Sequence, residues 1–330
     1  YRSARIEALD KGMLSGTSTW HGLPQYELVG NRAVTAAEAE TVVDFPIAKV
    51  PTYLEMGERD ALGQQIKSGA YAIVRTDQRP AVVLAPAVGA RYEATPHRQI
   101  FNQMTENLLA SYPDLKICGT GTLENGRTWW IQMVAAKFFV KGDQSENELR
   151  LCYHQSYGKT AHSVYASVVR IVCNNTLRAA ESDAVAKQML SRFSHTKSAR
   201  AKINANLDLM AQLHLGLEKH KELMEELASK PVTAKDVELF LGKFLPEPEG
   251  DAKVSESRHE AAVAAFNAIF VSGQSMDASA SRSRYAVLNA FTDYVDHASY
   301  SRDDADRWFD SQDGARAELK QEALAYLQAL

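Results

Sequence analysis

Cysteine is scarce: the 330 residues hold three, Cys118, Cys152 and Cys173, and none form a CxxC pair. An odd number without paired spacing argues against a disulfide framework or a cysteine-bound zinc, and the expected compartment is a reducing cytoplasm. No apolar run is long enough to span a bilayer, so no membrane association is expected. Tyr1 to Asp10 are polar and charged and carry no signal-peptide pattern. Catalytic signatures are also missing. The "GKT" of Gly158–Thr160 needs a glycine five residues earlier to cradle phosphates, and that position is Tyr153, so a tight turn accounts for it better. There is no HExxH, no ligand-spaced His/Cys pair and no GxSxG elbow. His214 and His220 are six apart, off the useful i, i+4 offset. No cofactor and no metal is therefore expected, and there is no internal repeat.

What is present is ordinary globular material, 45% hydrophobic and 24% charged, enough for one large domain or two smaller ones. The net charge of −4 hides a gradient. Ala110–Ala205 holds 13 Lys/Arg against 7 Asp/Glu, a surplus of six, which leaves a deficit of ten elsewhere. A basic middle in an acidic chain suits an anionic partner; the plainer reading is a solvated face.

The expected fold is α+β. Residues 1–190 should form a small antiparallel sheet with a hairpin packed on helices, and residues 191–330 a mostly helical region. Up to about Pro51 the chain reads as irregular, with one helix over Ala36–Val43 opened by the capping box Thr35/Glu38. "AYAIVRTD" and "PAVVLAPAVGARYEA" read as strands, and "HRQIFNQMTENLLASY" as a helix ended by Pro113. In "KICGTGTLENGRTWWIQMVAAKFFV" an Asn-Gly turn joins two β-rich runs, a hairpin signal. "NELRLCYHQSYG" is a further strand. The tail of "VVRIVCNNTLRAA", from Asn174 on, looks helical, with Asn174 or Asn175 as N-cap. Ala199–Lys230 reads as a long amphipathic helix, and "TAKDVELFLGKFL" begins another. "PEPEGDAKVSES" reads as a linker and "SMDASASRSR" as a mobile loop. Helices over "YAVLNAFTDYVDHA" and the last residues close the chain.

Nucleic acid is the chemistry these residues suggest most. Trp129 and Trp130 are adjacent on a strand beside Arg127, so one should face the core and the other outward. Exposed aromatics beside cations suit stacking on bases and contact with phosphates. Lys137, Lys141, Arg150 and Lys159 follow in the sheet region, then Arg192, Lys197, Arg200 and Lys202, and Arg170 and Arg178 join them on one stripe if a helix starts before Arg170. The alternative is core tryptophans with a solvated rim. For acid–base chemistry the best cluster is Asp293, Asp296 and His297, with an ordinary ion pair or cap as its plainer reading.

Several blocks together resemble one family. "WHGL" (Trp20–Leu23), "VRTD" (Val74–Asp77), "GTLENGRTWWIQM" (Gly121–Met133), "VRIVCNNTL" (Val169–Leu177) and "YAVLNAFTDYVDH" (Tyr285–His297) look like the signatures of the phage/plasmid-like group called domain of unknown function 932. The resemblance implies cargo of phages and plasmids, a setting of anti-restriction, single-strand-binding and annealing proteins. The order helix, hairpin, strand, basic helix is also similar to the core of single-strand annealing proteins of the RecT/Erf kind. That likeness implies a ring or filament of subunits holding single-stranded DNA in a basic groove. The expected function is single-stranded DNA binding and annealing, not an enzyme, in a homo-oligomer. Two alternatives stand beside it. One is an interaction protein that inhibits a host defence system through the acidic "SRDDADRWFDSQDGARAE". The other is a metal-dependent nuclease centred on Asp293, Asp296 and His297.

Overall fold

The computed structural model describes residues 13–15, 33–54, 66–110, 112–170, 175–178, 190–199, 201–202, 213–247, 253–273, 275–300, 307, 310–312 and 314–330. An antiparallel sheet packed against helices is followed by a mostly helical C-terminal half. Helix α1 (Ala36–Val43) begins where its capping box predicts. Thr35 accepts from the Glu38 backbone N–H, and the Glu38 side chain accepts from the Thr35 N–H. Three strands, β2 (Ile47–Leu54), β3 (Ile66–Arg75) and β4 (Val82–Val88), form a small sheet in that order. β2 lies where the sequence reads as irregular. It carries Pro51, which an edge strand tolerates because one side of its backbone has no ladder to complete.

The main sheet is built from β1 (Met13–Ser15), β5 (Lys116–Leu123), β6 (Thr128–Phe139), β7 (Glu146–Ser156), β8 (Thr160–Arg170) and β10 (Leu190–Phe193), in that order. β9 (Asn175–Arg178) also pairs with β8. The Asn-Gly turn between β5 and β6 is present. Asn125 and Gly126 have φ of 60° and 98°, and a Cβ on Gly126 would lie 2.7 Å from the Phe45 ring. Only glycine meets both conditions there.

Beyond β8 the expected helical tail is corrected. Asn175–Arg178 is a strand, registered from Ser167↔Arg178 to Arg170↔Asn175. The β-branched Val168 and Val169 suit an extended chain, and pairing with β8 outweighs the short helical pattern after them. Asn175, inside that strand, is thus not the N-cap of a helix; Asn174 lies outside the described residues.

Helix α2 (His97–Met104) continues into a π-helical turn, Thr105–Leu109. In the C-terminal half, α3 (Leu213–Ser229), α4 (Ala234–Phe244), α5 (Lys253–Ser272), α6 (Arg284–Asp293) and α7 (Ala315–Ala329) follow. The part of the long amphipathic pattern at 203–212 lies outside the described residues. α5 starts inside the expected linker, at Lys253. The expected mobile loop is pinned instead. Asp277 Oδ1 accepts from the N–H groups of Ser279 and Ala280, and its own N–H donates to the Gly142 carbonyl. Ser283, fully buried, caps α6 through the Ala286 N–H. Small polar residues mark caps and turns here, not disorder.

One core joins the two halves. Trp129, Ile131, Met133, Leu151 and Val164 on one face of the sheet belong to the same buried cluster as Phe240, Phe266, Phe291 and Leu324 of the helices. A second cluster of Phe45, Ile73, Leu84, Ala85, Val88 and Tyr157 seats the small sheet at the end of the main one. Burying these side chains stabilises the fold by about 1.5–3 kcal/mol for each large one, before conformational entropy is subtracted. The other face of the main sheet is buried too, and it is polar, carrying Gln132, Arg150, His154, Ser163 and Ser167. Every residue from Asn147 to Ser156 is buried, whichever face it points to.

Candidate functional site

The two tryptophans do not divide between core and solvent. Trp129 is 0% exposed and Trp130 2%, because both faces of β6 are covered. Trp129 Nε1 donates to Thr120 Oγ1 at 3.0 Å inside the core. The outward-facing tryptophan is therefore corrected: neither ring is open to a base.

Two of the expected arginine contacts are likewise internal. Arg150, 0% exposed, donates from Nε and Nη2 to Glu148 Oε2 at 2.9 and 2.6 Å, and from Nη1 to Gln132 at 3.2 Å. Lys137 reaches both Glu146 and Glu148. Arg170 donates from Nε and Nη2 to the two oxygens of Asp143 at 2.7 and 3.0 Å. The same carboxylate accepts from Tyr285 and Ser275. A guanidinium enclosed this way stays in the protein only with its carboxylate, so these two arginines are structural rather than phosphate contacts. Lys141 is exposed, at the β6–β7 turn. The Arg178 side chain and Arg200 lie outside the described residues.

The remaining cations gather at the opposite end of the sheet. Here the β5–β6 turn, the β7–β8 turn and the segment after β10 meet. Arg127 Nη1 and Lys159 Nζ both bond the Glu124 carboxylate, at 3.1 and 2.9 Å, and Arg127 Nε donates to the Tyr157 carbonyl at 3.0 Å. His195 Nε2 donates to the Thr160 carbonyl at 2.8 Å, which brings exposed Lys197 and Lys202 to the same end. Arg75 adds a further cation. It is held over the Phe45 ring at 4.1 Å, bonded to the Asn125 carbonyl and paired with Asp77. Glu93, whose N–H donates to the His195 carbonyl, lies at this end too, so Arg75, Arg127, Lys159, Lys197 and Lys202 stand there against Asp77, Glu93 and Glu124 and leave these named groups net positive.

Beneath the rim lies a cluster that the sequence did not announce. His97, Gln155, Tyr157, His162 and His195 are buried together. The Gln155 amide donates to His97 Nδ1, and His97 Nε2 donates to the Gly126 carbonyl at 2.8 Å. Tyr153 and His162 share a hydrogen bond of 2.8 Å. Tyr157 stacks on His97, and Tyr92 on His195, both at 4.6 Å. Burial pushes His97 and His162 down to about 3, and it lowers His195 too, so the rings are neutral near pH 7. These side chains come from positions 97, 155, 162 and 195, a spread that no local motif could reveal.

The acid–base candidate is placed differently. Asp296 is fully buried and paired with Lys320 at 2.7 Å, and Lys320 also donates to the Ser311 carbonyl. Asp296 therefore sits in a buried ion pair that ties α7 to the end of α6, the plainer of the two readings. Among the described residues, no group of three or more His, Cys, Asp or Glu side chains is arranged to hold a metal ion. Nor is any helix among them long and apolar enough to cross a membrane. The acidic stretch "SRDDADRWFDSQDGARAE" lies largely outside the described residues, as does "WHGL".

Comparison with known proteins gives one match. The family model described as Domain of unknown function (DUF932) matches residues 86–318. No curated protein and no solved structure matches the chain.

Proposed function

The chain belongs to the DUF932 family, and from that footing we propose that it binds single-stranded DNA and promotes annealing for a phage or plasmid, with the turn end of the main sheet as its phosphate-contacting surface. The observation that carries this reading is the pair of cations on one carboxylate. Arg127 and Lys159 share Glu124, beside exposed Lys197. Positive charge fixed on rigid turns attracts a polyanion without sequence preference. Bases are not stacked on Trp129 or Trp130 in this scheme, since both are buried. Annealing makes and breaks no covalent bond, so the reading asks for no nucleophile. Its oligomeric form is a ring or filament in the manner of RecT/Erf annealing proteins.

The test is fluorescence anisotropy of a labelled oligonucleotide at two salt concentrations. Binding should weaken as salt rises, with a log–log slope of about −0.7 per phosphate contacted. Reversing Lys197 and Lys202 to Glu together should flatten that slope by about one to two contacts. Absence of binding at low salt defeats the proposal. Binding with a flat salt response removes its phosphate contacts.

A further inference from the structure

Two backbone carbonyls of the β7–β8 hairpin act on the His195 ring. Nε2 donates to the Thr160 carbonyl at 2.8 Å, and the Ser156 carbonyl also favours the charged ring. The ring stacks on Tyr92 at 4.6 Å, and the His195 carbonyl accepts from the Glu93 N–H, which fixes the residue in place. A carbonyl only accepts, and an imidazolium carries two N–H donors where the neutral ring carries one. The hydrogen bonds around His195 thus suit a protonated ring, whichever nitrogen meets Ser156. Against the proton stands burial, which keeps the ring below its ordinary pKa. His162 on β8 lies 4.2 Å away between centroids, and His97 on α2 also couples to His195. Rings this close do not all charge together, so the cluster holds one proton at most near neutrality. His97 faces one carbonyl and His162 a tyrosine, and burial holds both at about 3, so that proton belongs on His195.

The charges around the ring set when it takes the proton. Lys159 adjoins the Thr160 carbonyl in the chain, Lys197 stands two residues beyond His195, and Arg127 bonds the carbonyl of Tyr157, next to Ser156. Glu93 is tied to His195 through the backbone, and Glu124 spans Arg127 and Lys159. Tyr92, Tyr153 and Tyr157 add no charge, because burial pushes their hydroxyls up. His154, buried on β7, couples to His162. While the rim is bare, its surplus of cations works against one more positive charge, and phosphates lying on it reverse that field. We propose that His195 is a proton-linked switch on this surface: its ring is neutral in the free protein and takes up one proton when a polyanion docks on Arg127, Lys159 and Lys197. This rests on the reading of the turn end as a polyanion surface and adds its regulation. Because binding takes up a proton, affinity rises as pH falls, by up to about tenfold per pH unit between the bound and free titrations of the ring.

The experiment follows the histidine ring signals of the full chain by NMR over about pH 5 to 8, alone, with an oligothymidylate and with dextran sulfate. Both probes keep their charge across that range. His195 is identified by through-bond correlation to its own backbone and by loss of its signal in His195→Gln, whose amide still offers a donor to the Thr160 carbonyl. In the free protein its midpoint should lie below 6.5, and either bound polyanion should raise it by about one unit or more, a tenfold change in proton affinity. Anisotropy should show the oligothymidylate binding several-fold more tightly at about pH 6 than at about pH 7.5, and His195→Gln should flatten that dependence. A midpoint unmoved by a bound polyanion overturns the proposal, and so does an equal pH response in wild type and variant. The wild-type NMR result stands whether or not the variant folds. Dextran sulfate that binds and moves the midpoint, while oligothymidylate does not bind, keeps the switch and defeats the DNA reading. Binding of neither probe overturns both.

Discussion

Arg170 fills both carboxylate oxygens of Asp143, and Tyr285 and Ser275 complete that carboxylate from the helical half. Burial pushes the Asp143 carboxyl up, but the Arg170 hydrogen bond and charge more than reverse it, and its pKa ends below the usual range. Removing one partner strands the other charge. Arg170→Met should therefore cost about 3–5 kcal/mol in urea unfolding, whereas replacing both partners with apolar residues should cost less. A double-mutant cycle measures the difference. His220 makes the opposite case. It is buried on α3 against Phe138, neither ring nitrogen has a partner, and burial lowers it to about 4. The unfolded ring titrates near 6.5, so its contribution is fully present above that pH and is lost as pH falls toward 4. The loss is up to about 1.4 kcal/mol per pH unit. His220→Leu should stabilise the protein more at pH 5 than at pH 7.5, and equal gains at both would contradict this assignment. Burial was readable for neither position, because an arginine or histidine in a strand or helix pattern does not disclose whether the other face is covered.

At the scale of elements, local chemistry was legible where it is self-contained. Thr35 and Glu38 specify the start of α1 within four residues, and Asn125-Gly126 specifies the β5–β6 turn. Gly126→Ala should cost about 1–3 kcal/mol, since it combines a left-handed backbone with a methyl pressed on Phe45. Thermal unfolding measures it, and a neutral result would mean that the turn relaxes. What failed to show was what depends on distant pairing. β9 is a strand because β8 lies beside it, β2 tolerates Pro51 because it is an edge, and "SMDASASRSR" is ordered because Asp277 meets Gly142. Amide exchange should find the Ser279 and Ala280 N–H groups protected in the wild type and exposed in Asp277→Ala. Equal exchange in the two proteins would return the segment to a mobile loop.

Across the whole molecule, burial on both faces of the sheet decides which of the expected contacts survive. It removes Trp129, Trp130, Arg150 and Arg170 from any surface, and leaves Arg127, Lys159, Lys197 and Lys202 together at one end. The basic middle of the sequence was legible as a count. Its division into internal ion pairs and an outward rim was not, because that division depends on which carboxylate each cation meets in three dimensions. The most direct measurement is anisotropy of a labelled single strand at low and high salt, for the wild type and for Lys197→Glu/Lys202→Glu. Salt-sensitive binding that the double reversal weakens, with a shallower salt slope, is the expected result. No binding by the wild type at low salt, or binding untouched by both salt and the reversal, would contradict it.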